Sequence, residues 1–351
     1  MACSIVALAA CALSAVAQPP VIDVVIDLPG LSLPRITRIN RTVTDGAHLL
    51  AEWFPPAPRI LRVSEAQVRP RWLELARGAS LEHAILREFA GQIWIGEGAP
   101  DAFRTALAEY SAAMAIHQTL PGGHVHVERF FNGAIPYPVR QVSLTPRGSE
   151  VRPRLRYFGP ADTLDPAVDA WLRFLATLER YLGWPALQQA LAALRSGGDI
   201  TPPRLHALLT EQTGRELEWL FSTFDRKVRV DYAVVAFSSA ASASGRFETT
   251  VRVERRGDGP AHSLPVLVRF ADGSEIRDRV DGRDQETVLR YDSVAPARLA
   301  SVDPDAFLML DADRTNNTRT IEAPADDIGL RLAFNWMSWL QDAMLACTAL
   351  I

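Results

Sequence analysis

Cysteine is scarce in this chain of 351 residues, and the three present, Cys3, Cys11 and Cys347, all lie at its ends. The interior therefore has no disulfide framework, no thiolate metal ligands and no cysteine nucleophile. Any metal would rest on carboxylates and on the seven histidines. No charge of one sign prevails: 37 basic side chains stand against 41 acidic ones, and a net charge of −4 supplies no global positive field for nucleic acid or anionic lipid. Also missing are a glycine-rich fingerprint for a nucleotide, a GxSxG nucleophile elbow and any repeat at a period of about 20–50 residues. What remains is a foldable composition, 48% hydrophobic and 22% charged, with 24 prolines and 21 glycines spread through it. The length predicts about two domains, each able to own a core.

Residues 1–18, MACSIVALAACALSAVAQ, form a small, apolar run ending in AVA before Gln18. That is the h-region and cleavage pattern of a secretory signal without its basic n-region, and it predicts an exported, periplasmic or extracellular protein. An anchor, a misassigned start and a buried apolar segment are the alternatives. At the other end, 326–351, Leu332, Trp336, Trp339, Leu340 and Met344 recur at spacings of three and four and predict an amphipathic helix. Gln341 and Asp342 interrupt it, which argues against a span of about twenty apolar residues. Docking on the protein's own core is expected, with peripheral membrane or partner contact as the alternative.

Between the ends the hydrophobic period changes twice. Residues 19–63 read as short extended pieces, VIDVVIDL and LSLPRITRI, separated by Pro-Gly and closed by the prolines at 55, 56 and 58. From 64 to 230 the apolar positions recur every three or four residues and predict helices, among them one started by Asp165 as N-cap with Pro166 behind it and one stopped at Gly197-Gly198. From 231 to 325 the period is two, in RFETTVRVERR, SLPVLVRFADG, SEIRDRVDG, ETVLRY and AFLMLDADR, and this predicts a small antiparallel β-sandwich. The fold class expected is α+β.

The chemically informative stretch is Arg87-Glu88-Phe89-Ala90-Gly91, within REFAGQIWIG. A zinc peptidase helix of the HExxH type sets two histidines four residues apart so that both face one ion, with the intervening glutamate activating its water. Here arginine and glycine hold those positions. Arginine is permanently cationic with no lone pair, and glycine has no side chain. His83 shares the helical face of Arg87 but finds no second histidine.

REFAGQIWIG resembles the HExxHQYWYG helix of the gluzincin zinc aminopeptidases, the family that includes aminopeptidase N, and FRTALAEYS at 103–111 is similar to that family's LDEGLAEYS. The resemblance implies that Arg87, Gly91 and Thr105 occupy the three metal-ligand positions, that Arg104 replaces an acidic residue, and that the connector after Gly96 is shortened. LRFLATLERYLGWPALQQALAALR at 172–195 resembles the helical segment downstream of the family's transition-state tyrosine, whose position falls on Val168. PVLVRFADG, VDPD and LDADRTNN are like the sandwich that follows the peptidase domain in bacterial members. The likeness covers roughly 65–325 and implies a thermolysin-like, mostly helical peptidase domain, with Glu88 vestigial and Glu88, Gln92, Glu109 and Tyr110 as candidates to line a substrate or partner cleft. Most of the N-terminal β domain that recognises a free amine is lacking.

A reserve metal motif is HVHVE, in which extended geometry would place His124, His126 and Glu128 on one face, with His117 as a candidate to complete it. Arg152, Arg154 and Arg156 alternate as on a charged edge strand. Asp303, Asp305, Asp311 and Asp313 are acidic enough for calcium but lack the EF-hand arrangement, so turn capping is expected. With every implied ligand replaced, Glu88 has no ion to stabilise hydroxide. The sequence thus predicts an inactive aminopeptidase-like module that needs no cofactor and binds a peptide or protein. The alternatives are an active zinc metallopeptidase with a displaced site, and a structural or membrane-associated remnant of such a peptidase.

Overall fold

The computed structural model describes residues 23–27, 33–57, 60–64, 81–96, 98–119, 165–305 and 307–321. The segments 1–18 and 326–351, the HVHVE motif and Arg152, Arg154 and Arg156 lie outside them. The described chain mixes helices with antiparallel sheets, an α+β arrangement in which helices and antiparallel strands segregate after an initial strand–helix–strand unit. It begins with strand β1 (Asp23–Asp27), helix α1 (Leu33–Trp53) and strand β2 (Ile60–Ser64). The two strands pair in parallel, Val24 opposite Leu61 and Ile26 opposite Val63, so α1 is the crossover that parallel pairing requires.

This corrects the extended reading of LSLPRITRI. Pro34 stands in the first turn of α1, where a missing N–H leaves no bond unmade. Ile39, Val43, Ala47, Leu50 and Phe54 then follow at spacings of four, four, three and four, and all are buried at 3% exposure or less. That stripe outweighs the strand preference of the Ile, Val and Thr residues between them.

Six further α-helices follow among the described residues. They are α2 (Leu81–Ile93), α3 (Asp101–Thr119), α4 (Pro166–Leu182), α5 (Trp184–Gly197), α6 (Pro202–Thr213) and α7 (Glu218–Asp225). The signals expected to start and stop them do so. Asp165 Oδ1 accepts the backbone N–H of Ala167 at 2.7 Å, with Pro166 at the first helical position. Gly198 ends α5 at φ 76°, a left-handed conformation that only glycine enters without steric cost. Helices α1, α2 and α3 pack on one another, and α3 on α4. Aromatic rings fill the seams, with Phe54 against Trp94 at 5.0 Å and Trp171 against Phe224 at 4.1 Å between centroids.

The period-two region forms two antiparallel sheets. One holds β3 (Tyr232–Ala241), β4 (Phe247–Arg255) and β7 (Glu286–Ser293) in the order β3-β4-β7. The other holds β5 (Leu264–Phe270), β6 (Glu275–Val280), β8 (Ala297–Val302) and β9 (Thr318–Thr320) in the order β6-β5-β8-β9. Alternation decides what is buried: Thr249, Val251 and Val253 point inward from β4, and Val266, Val268 and Phe270 from β5. The sheets approach where β3 meets β8 and β9, and Ser239 Oγ there accepts the backbone N–H of Ala297 at 3.0 Å. The described part of AFLMLDADR, expected as a strand, instead forms a turn in which Leu308 and Met309 are buried, leading into a short 3-10 helix, Arg314–Asn316.

The change of period near 230 marks a change of secondary structure and not a gap in packing. Buried residues of the helices and of both sheets join in one continuous apolar cluster. Val230 bridges to Asp311, and the backbone N–H of Met309 donates to Thr177 Oγ1 on α4 at 3.1 Å. No helix among the described residues is long and apolar enough to cross a membrane.

Candidate functional site

The two motif segments lie on α2 and α3, which pack side by side. On α2, His83, Arg87, Ala90 and Trp94 follow at helical spacing toward α3. Trp94 closes this seam by donating its indole N–H to the buried Ser111 Oγ at 3.0 Å. At the centre Arg87 Nε forms an ion pair with Glu109 Oε1. His83 Nε2 lies 3.4 Å from the Glu109 backbone carbonyl and 3.7 Å from its Oε2. The residue at the first implied ligand position is therefore bound to a carboxylate of the second motif.

Glu109 is 1% exposed, among neighbours on α3 that are buried almost without interruption. Removing a carboxylate from water costs several kcal/mol unless a neighbouring cation offsets it. Arg87, with 17% of its side chain exposed, supplies that cation while keeping an edge near solvent. Tyr110, also 1% exposed, faces a different partner. Burial pushes its hydroxyl well above the ordinary phenol range, and the nearby Glu179 carboxylate, which accepts that hydroxyl, pushes the same way. Glu109 and Tyr110, two of the candidates for a substrate or partner cleft, are thus both buried polar groups.

The remaining positions differ in accessibility. Glu88 is half-buried, whereas Gly91 and Gln92 are exposed. Ile95, just past the end of α2, is 66% exposed. A Cβ at Gly91 would meet nothing within 4 Å. Thr105 is half-buried on α3, and Arg104 next to it pairs with Asp101 and reaches the Gly96 carbonyl at 3.4 Å. Val168 is buried in α4. His124, His126 and Glu128 lie outside the described residues.

No family model and no curated protein matches the chain. Among the described residues no three or more His, Cys, Asp or Glu side chains converge as metal ligands. The acidic residues near 303–313 are occupied with backbone N–H groups and neighbouring side chains. Asp303, at φ 50°, accepts the N–H groups of Phe307 and Leu308 at 2.7 and 2.9 Å. Asp313 caps Thr315 N at 3.2 Å, and Asp305 pairs with Arg277 at 2.8 Å. Asp311 accepts from Asp313 N at 3.0 Å and from Asn317 Nδ2 at 3.1 Å. Burial nevertheless raises Asp311 to about 7, with the charges of Asp231 and Asp303 adding to the effect.

The pairing of Arg87 with Glu109 was not foreseen from sequence. The signal available was a glutamate set in an apolar helix, which demands a cation. Which cation depends on how α2 and α3 lie together.

Proposed function

We propose that this chain is a catalytically inactive relative of the gluzincin aminopeptidases, exported and acting as a peptide- or protein-binding module. On this reading α2 to α7 correspond to a thermolysin-like helical domain and the two sheets to the sandwich behind it. One observation carries the proposal: Arg87 and Glu109 form a buried ion pair where the resemblance places a metal-binding seam. A guanidinium has no lone pair for zinc and puts a fixed positive charge there, so it excludes a second cation by repulsion as well as by lack of a ligand. Three protein ligands are the usual complement of a catalytic zinc, and arginine, glycine and threonine offer none of the usual donor groups. Glu88 alone cannot bring a water's pKa near neutrality.

Loss of the ion leaves a surface usable for binding. Glu88, Gly91 and Gln92 near the end of α2 and Ile95 just beyond it combine a carboxylate, an amide and an exposed aliphatic side chain. The test is hydrolysis of a panel of aminoacyl arylamides by the full chain with added zinc. No turnover above the blank is expected. Zinc-dependent turnover abolished by Glu88→Gln, or by Glu128→Gln through the HVHVE motif, would overturn the reading.

A further inference from the structure

We propose that the cleft between α4, α7 and the start of β5 is a binding site for a small aromatic carboxylate. Its walls are four rings. Trp219 stacks on His262 with centroids 5.5 Å apart and planes 16° apart, and meets Tyr181 edge-on at 6.0 Å. Phe307, 36% exposed, lines the same space. The volume is about 210 Å³. That is below the range of about 300–1,000 Å³ usual for drug-sized ligands and suits a molecule built on one ring.

The polar lining is rich in unused donors. Trp219 is 7% exposed and contributes its ring to the wall, while its indole nitrogen is itself buried away from the open space. Arg215 spends one nitrogen on the Tyr181 carbonyl at 2.7 Å and lies 5.2 Å from the centroid of the Tyr181 ring. Arg279 spends one on Ser263, reaching its carbonyl at 3.1 Å and its hydroxyl at 3.2 Å. Neither arginine has a carboxylate at ion-pair distance among the described residues, so most of each donor fork remains available. The Thr177 hydroxyl is already committed to the Arg173 carbonyl at 2.8 Å and to Met309 N. Two guanidinium groups ask for an anionic acceptor, and a carboxylate matches a planar fork in two-point geometry.

The surroundings hold this arrangement in place. Ser263 sits at φ 56°, a strained conformation for a residue with a Cβ, and is the residue to which Arg279 is tied. Asp303 accepts two backbone N–H groups of the turn that presents Phe307 and Leu308. No residue of α2 or α3 lines the cleft, so the outcome here is separable from that of the peptidase-like reading.

The experiment is isothermal titration of the full chain with 3-phenylpropionate, its neutral amide and propionate. Saturable binding of the aromatic acid at one site is expected, with the amide and propionate each at least about tenfold weaker. Arg215→Gln and Arg279→Gln change exposed residues and should leave the far-UV spectrum intact while each weakens the acid about tenfold. Absence of saturable binding, equal binding of acid and amide, or folded arginine variants that bind normally would overturn the proposal. Tighter binding of a tripeptide ending in phenylalanine than of the free acid would also overturn it, because the site would then belong to a peptide terminus.

Discussion

Replacing Arg87 with methionine keeps most of the side chain's volume and removes its charge, leaving the Glu109 carboxylate 1% exposed without its strongest cation. Breaking one partner out of a buried pair typically costs about 3–5 kcal/mol. A Coulomb estimate agrees: unit charges about 4 Å apart attract by about 4 kcal/mol at an effective dielectric of about 20. Two features lower the figure. Arg87 keeps 17% of its side chain exposed, and His83 Nε2 stays 3.7 Å from Glu109 Oε2. The loss should therefore be about 3 kcal/mol. Urea unfolding at pH 7, followed by far-UV circular dichroism, measures it. The double variant Arg87→Met/Glu109→Leu removes both charges and should lie within about 1 kcal/mol of the parent, since an apolar pair of similar volume replaces a buried ion pair at little cost. A single variant within about 0.5 kcal/mol of the parent, or a double variant as unstable as the single one, would refute the pairing as the site's organising interaction.

Asp311 predicts an unusual pH dependence. Its native value of about 7 lies above its ordinary 3.8, so between those values the folded state holds a proton that the unfolded state has lost. Its contribution is fully present below about pH 4 and is lost as pH rises toward 7, amounting to about 2–3 kcal/mol between pH 5 and pH 8. Asp311→Asn should flatten that part of the stability curve, and a variant with an unchanged curve would contradict the assignment. Tyr232→Phe removes a hydroxyl that donates to the Gly282 carbonyl at 2.7 Å and accepts from Ala261 N at 2.7 Å, leaving two buried backbone groups unmatched, for a loss of about 2–3 kcal/mol in the same urea assay. Gly282→Ala should be at least as damaging, because its Cβ would stand 2.2 Å from the Ala261 carbonyl oxygen, a backbone atom that cannot step aside. Normal thermal unfolding of that variant would contradict it.

Local signals carried much of the fold. The aspartate and proline at 165–166, the glycine stop after α5 and the alternation of β4 and β5 each depend on a few neighbouring residues, and the structure realises all of them. Helix α1 was hidden because Pro34, Gly46 and several β-branched residues resemble a broken extended segment. Only the longer stripe from Ile39 to Phe54 discloses the helix, and its burial is a tertiary effect. Leu308 and Met309 misled in the opposite direction: they are apolar and buried but belong to a turn whose backbone is satisfied by Asp303 and Thr177. The candidate site was legible only in part. REFAG and LAEYS drew attention to Arg87 and Glu109 separately, while their ion pair follows from the packing of two helices. The cleft at Trp219 was not legible at all, since its donors come from separate segments that meet only in three dimensions.

The central claim, a peptidase-like framework whose metal seam is held by an arginine–glutamate pair, is tested most directly by metal analysis of the full chain purified without chelator and then equilibrated with zinc. The account predicts less than about one tenth of an equivalent retained after desalting, since no implied ligand position carries a zinc donor. One equivalent of tightly held zinc, released by Glu88→Gln or by replacing His124 and His126, would contradict it.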